Sequence, residues 1–67
     1  MEQFFIVIDG VGKIPDHVEN LSSGEAQIKA IAMRENKTVT LRYENKDGEI
    51  SNAAIATRHT FWTILPK

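Results

Sequence analysis

The sequence predicts an α+β domain: one amphipathic helix packed on a mostly antiparallel sheet of about four strands, in the order β-α-β-β-β. Three stretches carry that prediction. Phe4-Phe5-Ile6-Val7-Ile8 is an unbroken apolar run, rich in the aromatic and β-branched residues that favour strands. Gln27 to Glu35 continues without Gly or Pro behind a helix-start signal. Thr38 to Glu44 alternates polar and apolar residues, the period-two pattern of a half-buried strand.

The totals bound the rest. With 67 residues the chain is one domain, 1–67, and a small one. A domain of this size buries only about 60% of the surface its unfolded chain exposes. There is no cysteine, so neither disulfides nor thiolate metal sites can staple it. Tight packing or self-association must supply the stability. Eight basic and nine acidic residues leave a net charge of −1, so no strong field draws in nucleic acid or an anionic membrane. The apolar run is far shorter than the roughly 20 residues of a membrane helix, and no membrane partner is expected. Glu2 before the run and Asp9-Gly10 after it do not fit a secretory signal. A cytoplasmic location is the expectation.

In chain order, the first strand sends Phe4, Ile6 and Ile8 to one face and Phe5 and Val7 to the other. Asp9 to Pro15 holds two glycines and a proline and reads as a loop. Asp16 to Asn20 reads as a short strand or an irregular linker. Ser22-Ser23-Gly24-Glu25 has the spacing of a capping box, with Ser22 as N-cap and Leu21 and Ala26 placed for a hydrophobic staple. The helix then presents Leu21, Ile28, Ile31 and Ala32 on one side. Its alanines allow close approach to the sheet, Met33 reads as gap-filling core, and Asn36 suits a left-handed C-terminal cap.

Val39, Leu41 and Tyr43 are expected to face inward, and Thr38, Thr40, Arg42 and Glu44 outward. Asn45-Lys46-Asp47-Gly48 is a hairpin turn in which Gly48 supplies a positive φ. In the return strand, Glu49 to Thr57, Ile50 and Ala54 share a phase that Ile55 breaks. A bulge near Asn52-Ala53 would account for this, since one extra residue switches the face of all that follow. Thr60 to Leu65 reads as the last strand, with Phe61, Thr63 and Leu65 on one face and Trp62 and Ile64 on the other.

Little in this sequence points to catalysis, and no cofactor or metal site is expected. Gly10, Gly12 and Lys13 lack the spacing of a phosphate-binding loop. Asp16, His17 and Glu19 are metal-ligand types, but crowded within one loop they do not make a spaced ligand set. No serine sits in a nucleophile elbow, and so small a fold has little room for a closed pocket.

One helix covers one sheet face, yet the first and last strands are apolar on both. The uncovered face holds either Phe5 and Val7 or the set Phe4, Ile6 and Ile8, with Trp62 and Ile64 nearby. A large exposed apolar patch marks an interface. The leading expectation is therefore a small non-enzymatic protein-binding module, an inhibitor, adaptor or regulatory accessory protein, with Phe5, Val7, Trp62 and Ile64 at its interface. The partner is an unidentified protein or, in a homodimer, a second copy; an exposed strand edge is a second route. The alternative is a nucleic-acid-binding or transcription-regulatory domain that uses Arg42, Arg58 and Trp62 as a basic and aromatic platform.

From Ile28 to Trp62 the chain runs from a helix containing Ala30-Ile31 to Lys37-Thr38-Val39-Thr40-Leu41-Arg42-Tyr43, then Asp47-Gly48-Glu49 and Phe61-Trp62. This order resembles the opening of a WYL domain, a ligand- or nucleic-acid-sensing module of bacterial regulators. The resemblance implies the regulatory alternative. The Trp-Tyr-Leu that names that family is replaced here by Trp62-Thr63-Ile64, and the usual proline near the end of the second hairpin strand is missing around Thr57.

Overall fold

A computed structural model describes residues 2–65. Six elements follow one another: β1 (Gln3–Ile8), β2 (Gly12–Ile14), α1 (Leu21–Glu35), β3 (Val39–Glu44), β4 (Ile50–Ala56) and β5 (Phe61–Thr63). The strands form one antiparallel sheet in the order β2-β1-β3-β4-β5. The helix packs on one side of it, so the α+β architecture is as the sequence predicts, with a fifth, three-residue strand added at one edge.

That extra strand comes from the stretch read as a loop. Gly10, at φ 79°, lets the chain reverse directly after β1, and the Val11 amide donates to the Ile8 carbonyl at 3.0 Å. Gly12 to Ile14 then returns along β1, placing Ile14 opposite Ile6 and Lys13 opposite Val7. Pro15, which has no amide hydrogen to donate, lies immediately beyond this strand. Residues 15–19 form an irregular link that drops to the helix side, where Val18 enters the core. Gln27 Nε2 holds the link by donating to the His17 carbonyl at 2.9 Å.

The helix is capped two residues before the expected position. Asn20 is the N-cap, its backbone extended and its Oδ1 accepting from the Ser23 amide at 2.8 Å. Ser22 is thus inside the helix. Glu25, expected to close a capping box, instead lies on the sheet-facing side at 5% exposure. The other end is as expected: Asn36 adopts φ 54°, ψ 47°, and its amide donates to the Ala32 carbonyl at 2.9 Å.

Close approach between helix and sheet depends on Gly24 and, of the alanines, on Ala32 alone. Ala26 and Ala30 are exposed. A Cβ added to Gly24 would lie 2.7 and 2.8 Å from the two methyls of Leu41 and 2.9 Å from Val18 Cγ1. Met33, read as core, is 58% exposed. The core comprises Ile6 and Ile8 of β1, Val39 and Leu41 of β3, Ala53, Ala54 and Ala56 of β4, Val18, and Ile28, Ile31 and Ala32 of the helix. Phe4, Tyr43, Phe61 and Leu65 pack around it.

The bulge is where the phase break placed it. Leu41 pairs with Ala54 while Arg42 pairs with Asn52, leaving Ala53 as the additional residue on β4. Its carbonyl accepts from the Ile64 amide at 2.9 Å and the Leu65 amide at 3.0 Å. Regular pairing of β5 accordingly ends at Thr63, two residues before the end of the predicted strand.

Candidate functional site: the uncovered sheet face

Paired residues in neighbouring strands share a sheet face. Since Ile6, Val39, Leu41 and Ala54 lie under the helix, the opposite face follows from the register. One row crosses all five strands: Lys13, Val7, Thr40, Ile55 and Trp62. A second row runs Phe5, Arg42 and Asn52, and a third Gln3, Glu44 and Ile50. Ile64 continues the alternation on the same side beyond β5. The bulge brings Ile50 and Ile55 onto this face together, resolving the phase conflict between them.

No part of the described chain covers this face. The segment after β1 turns toward the helix, as the burial of Val18 shows. The choice left open by the sequence is thereby decided: Phe5 and Val7 lie on the open side, and Phe4, Ile6 and Ile8 lie beneath the helix. All four residues singled out for an interface, Phe5, Val7, Trp62 and Ile64, fall on one face. Trp62 and Ile64 are 50% and 51% exposed, and Ile50, which sequence reasoning did not select, is 49% exposed. The period-two reading missed Ile50 and Ile55 as a pair because the bulge lies between them.

Charge on the face is sparse and uneven. Lys13 places its ammonium 4.8 Å from the centroid of the Phe5 ring. Arg42 occupies the central strand and the central row. Its Nε is buried without a hydrogen-bond partner, and Arg42 has no ion pair among the described residues. Glu44, two residues along the same strand, is engaged elsewhere: its Oε1 accepts from Gln3 Nε2 at 2.6 Å. Glu49 likewise accepts from Asn45 Nδ2 at 2.9 Å.

The three residues of the nucleic-acid reading are divided. Arg42 and Trp62 share the open face, two strands apart. Arg58 lies in the β4–β5 turn, where the Thr57 and Thr60 hydroxyls are 2.7 Å apart. There, with His59, it lines a depression of about 320 Å³ beside the helix, which also takes in Lys29, Met33 and Phe61. A second depression, about 490 Å³, lies between the start of β1 and residues 17–20, with Glu2, Phe4 and Val18 in its wall. Neither lies on the open face.

The Tyr43 phenol is clearly perturbed. The Tyr43 hydroxyl donates to Glu2 Oε1 at 2.7 Å, and that bond to the protonated phenol is the main cause raising its pKa, with desolvation and the Glu2 charge adding to it. Tyr43 is on the helix side, its ring tilted by 42° against that of Phe4 with centroids 5.1 Å apart, and does not contribute to the open face. Among the described residues no three His, Asp or Glu side chains are grouped to hold a metal ion, and no helix is long and apolar enough to cross a membrane.

Sheet edges offer little for strand addition. Both edge strands, β2 and β5, are only three residues long, which limits the ladder a partner strand could extend. The binding potential is concentrated on the face. No family model, curated protein or solved structure matches the chain.

Proposed function

We propose that this protein is a small non-enzymatic binding module that engages another protein through the uncovered face of its sheet. The observation that supports this is the collection of Phe5, Val7, Ile50, Ile55, Trp62 and Ile64 on one uncovered surface. A small domain gains nothing in its own fold by leaving a tryptophan and two isoleucines half exposed on a single face. Aromatic and aliphatic side chains held on a rigid sheet are the kind of surface that forms the centre of protein interfaces.

The test compares surfaces. Wild-type protein, Trp62→Ser and the helix-surface variant Lys29→Ser are used as baits, each first checked for folding by circular dichroism. The proposal expects a partner retained by wild type and by Lys29→Ser and lost with Trp62→Ser. Equal retention by all three would refute it.

A second reading, as a nucleic-acid-binding or transcription-regulatory domain, has one observation in its favour: Trp62, Phe5, Arg42 and Lys13 share a face, as stacking and cationic groups do on single-strand platforms. It predicts quenching of the single tryptophan by oligonucleotides, with an affinity that falls steeply as salt rises. The aliphatic content of the face and the near-neutral chain favour protein.

A further inference from the structure

We infer that the occupant of the open face is a different protein that presents a carboxylate within an apolar patch, and that Arg42 is the residue that receives it. This rests on the protein-binding reading above and adds the chemistry of the partner.

Two observations separate this occupant from a second copy of the chain. The first is the position of the charge. A two-fold axis through the middle of the face would bring Arg42 against its own counterpart, two guanidinium groups confronted in a surface being emptied of water. The second is area. Five strands spaced about 4.8 Å apart, with three rows of outward side chains, span at most about 500 Å². A standard interface takes about 800 Å² from each partner. An area this small needs a strong central contact, which like charges cannot provide.

Arg42 is suited to supply that contact to an acidic partner. It stands in the central row of the central strand, next to Phe5 across the β1–β3 pairing. Its Nε is already withdrawn from water and makes no hydrogen bond. That leaves the two terminal Nη groups as the donors a carboxylate can engage together, the paired geometry that makes arginine effective at interfaces. Glu44, two residues along the same face, is held by Gln3. An approaching carboxylate therefore does not have to displace an internal ion pair.

A random 12-residue peptide display library, selected on the immobilised protein, supplies the probe. The inference expects enriched peptides that carry Asp or Glu among apolar residues. Synthetic copies should lose at least 10-fold in affinity on Arg42→Met, more on Arg42→Glu, and less on Arg42→Lys, which keeps charge but not the fork. Trp62→Ser should also weaken them at least 10-fold. Peptides that depend on Trp62 but are indifferent to Arg42→Met and Arg42→Glu would keep the docking face and overturn the carboxylate. Peptides indifferent to every face substitution, or no enrichment over the bare support, would overturn both readings. Oligonucleotide binding that quenches Trp62, or a wild-type dimer in sedimentation that Trp62→Ser dissociates, would replace the inferred occupant with nucleic acid or a second copy.

Discussion

Gly24→Ala is predicted to destabilise the protein, although the same change inside a helix ordinarily stabilises it. Alanine gains about 1 kcal/mol over glycine in helix propensity. Here, however, the new methyl would lie 2.7–2.9 Å from Leu41 and Val18 carbons, and ordinary carbon contacts begin near 3.5 Å. Leu41 is fully buried and Val18 nearly so, so neither has free volume to move into. Relieving such overlap costs about 1–3 kcal/mol. The net expectation is a loss of about 1 kcal/mol, or about 4–8 °C in Tm for a domain of this size. Thermal and urea unfolding followed by circular dichroism measure it. The double-mutant cycle isolates the cause: in a Leu41→Ala background only the Val18 overlap remains, and Gly24→Ala should cost clearly less than in the wild type. If Gly24→Ala raises Tm in the wild-type background, the helix and sheet are not in the close contact described, and the reasoning fails.

Four further outcomes follow from the same structure. Asn20→Ala should cost about 1 kcal/mol of stability while Ser22→Ala changes it by less than about 0.5 kcal/mol; urea midpoints showing the reverse order would restore Ser22 as the cap. Ile6 and Val7 are adjacent but lie on opposite faces, so Ile6→Ala should cost about 2–5 kcal/mol and Val7→Glu about 1 kcal/mol or less, read by chemical denaturation. The Tyr43 phenol, held protonated by Glu2, should titrate above the usual value of 10.0 in absorbance at 295 nm, and Glu2→Gln should lower it. Because the folded-state pKa is raised, the stability that this bond contributes is complete below pH 10 and is lost as pH rises through the folded value; a Glu2→Gln variant whose relative stability is flat through that window would contradict the assignment.

Most of the fold was legible because its signals are local. The alternation of Val39, Leu41 and Tyr43, the turn at Gly48 and the left-handed cap at Asn36 depend on neighbours within a few residues. Even the bulge could be read, since a phase break between Ile50 and Ile55 has few other causes. The fifth strand was hidden because three residues beginning with glycine are too few to show a period. Asn20 and Ser22 are both good caps, and what separates them is tertiary: capping at Asn20 makes Leu21 the first helical residue, where it packs against the core. Glycine at a stripe position was the one available sign of close packing against Leu41. Met33 was misread because its residue type suits a core, while its position lies off that stripe.

The site was legible in part for the same reason. Two-sided apolar strands beside a single helix already imply an uncovered face, and Phe5, Val7, Trp62 and Ile64 follow by alternation. Which face the helix takes depends on packing that no local pattern encodes. The central position of Arg42 depends on strand order, because β1 inserts between β2 and β3 and makes the middle row run Phe5, Arg42, Asn52. Arg58 was grouped with Arg42 by residue type alone. The short β4–β5 turn carries it to the depression beside Lys29.

The most direct measurement is an amide chemical-shift map of the ¹⁵N-labelled protein, titrated with one of the selected acidic peptides. The account predicts shifts that saturate together at Phe5, Val7, Arg42, Ile55, Trp62 and Ile64, with Lys29 and the 57–60 turn unmoved. Shifts concentrated on α1 and that turn, with the open face silent, would contradict it.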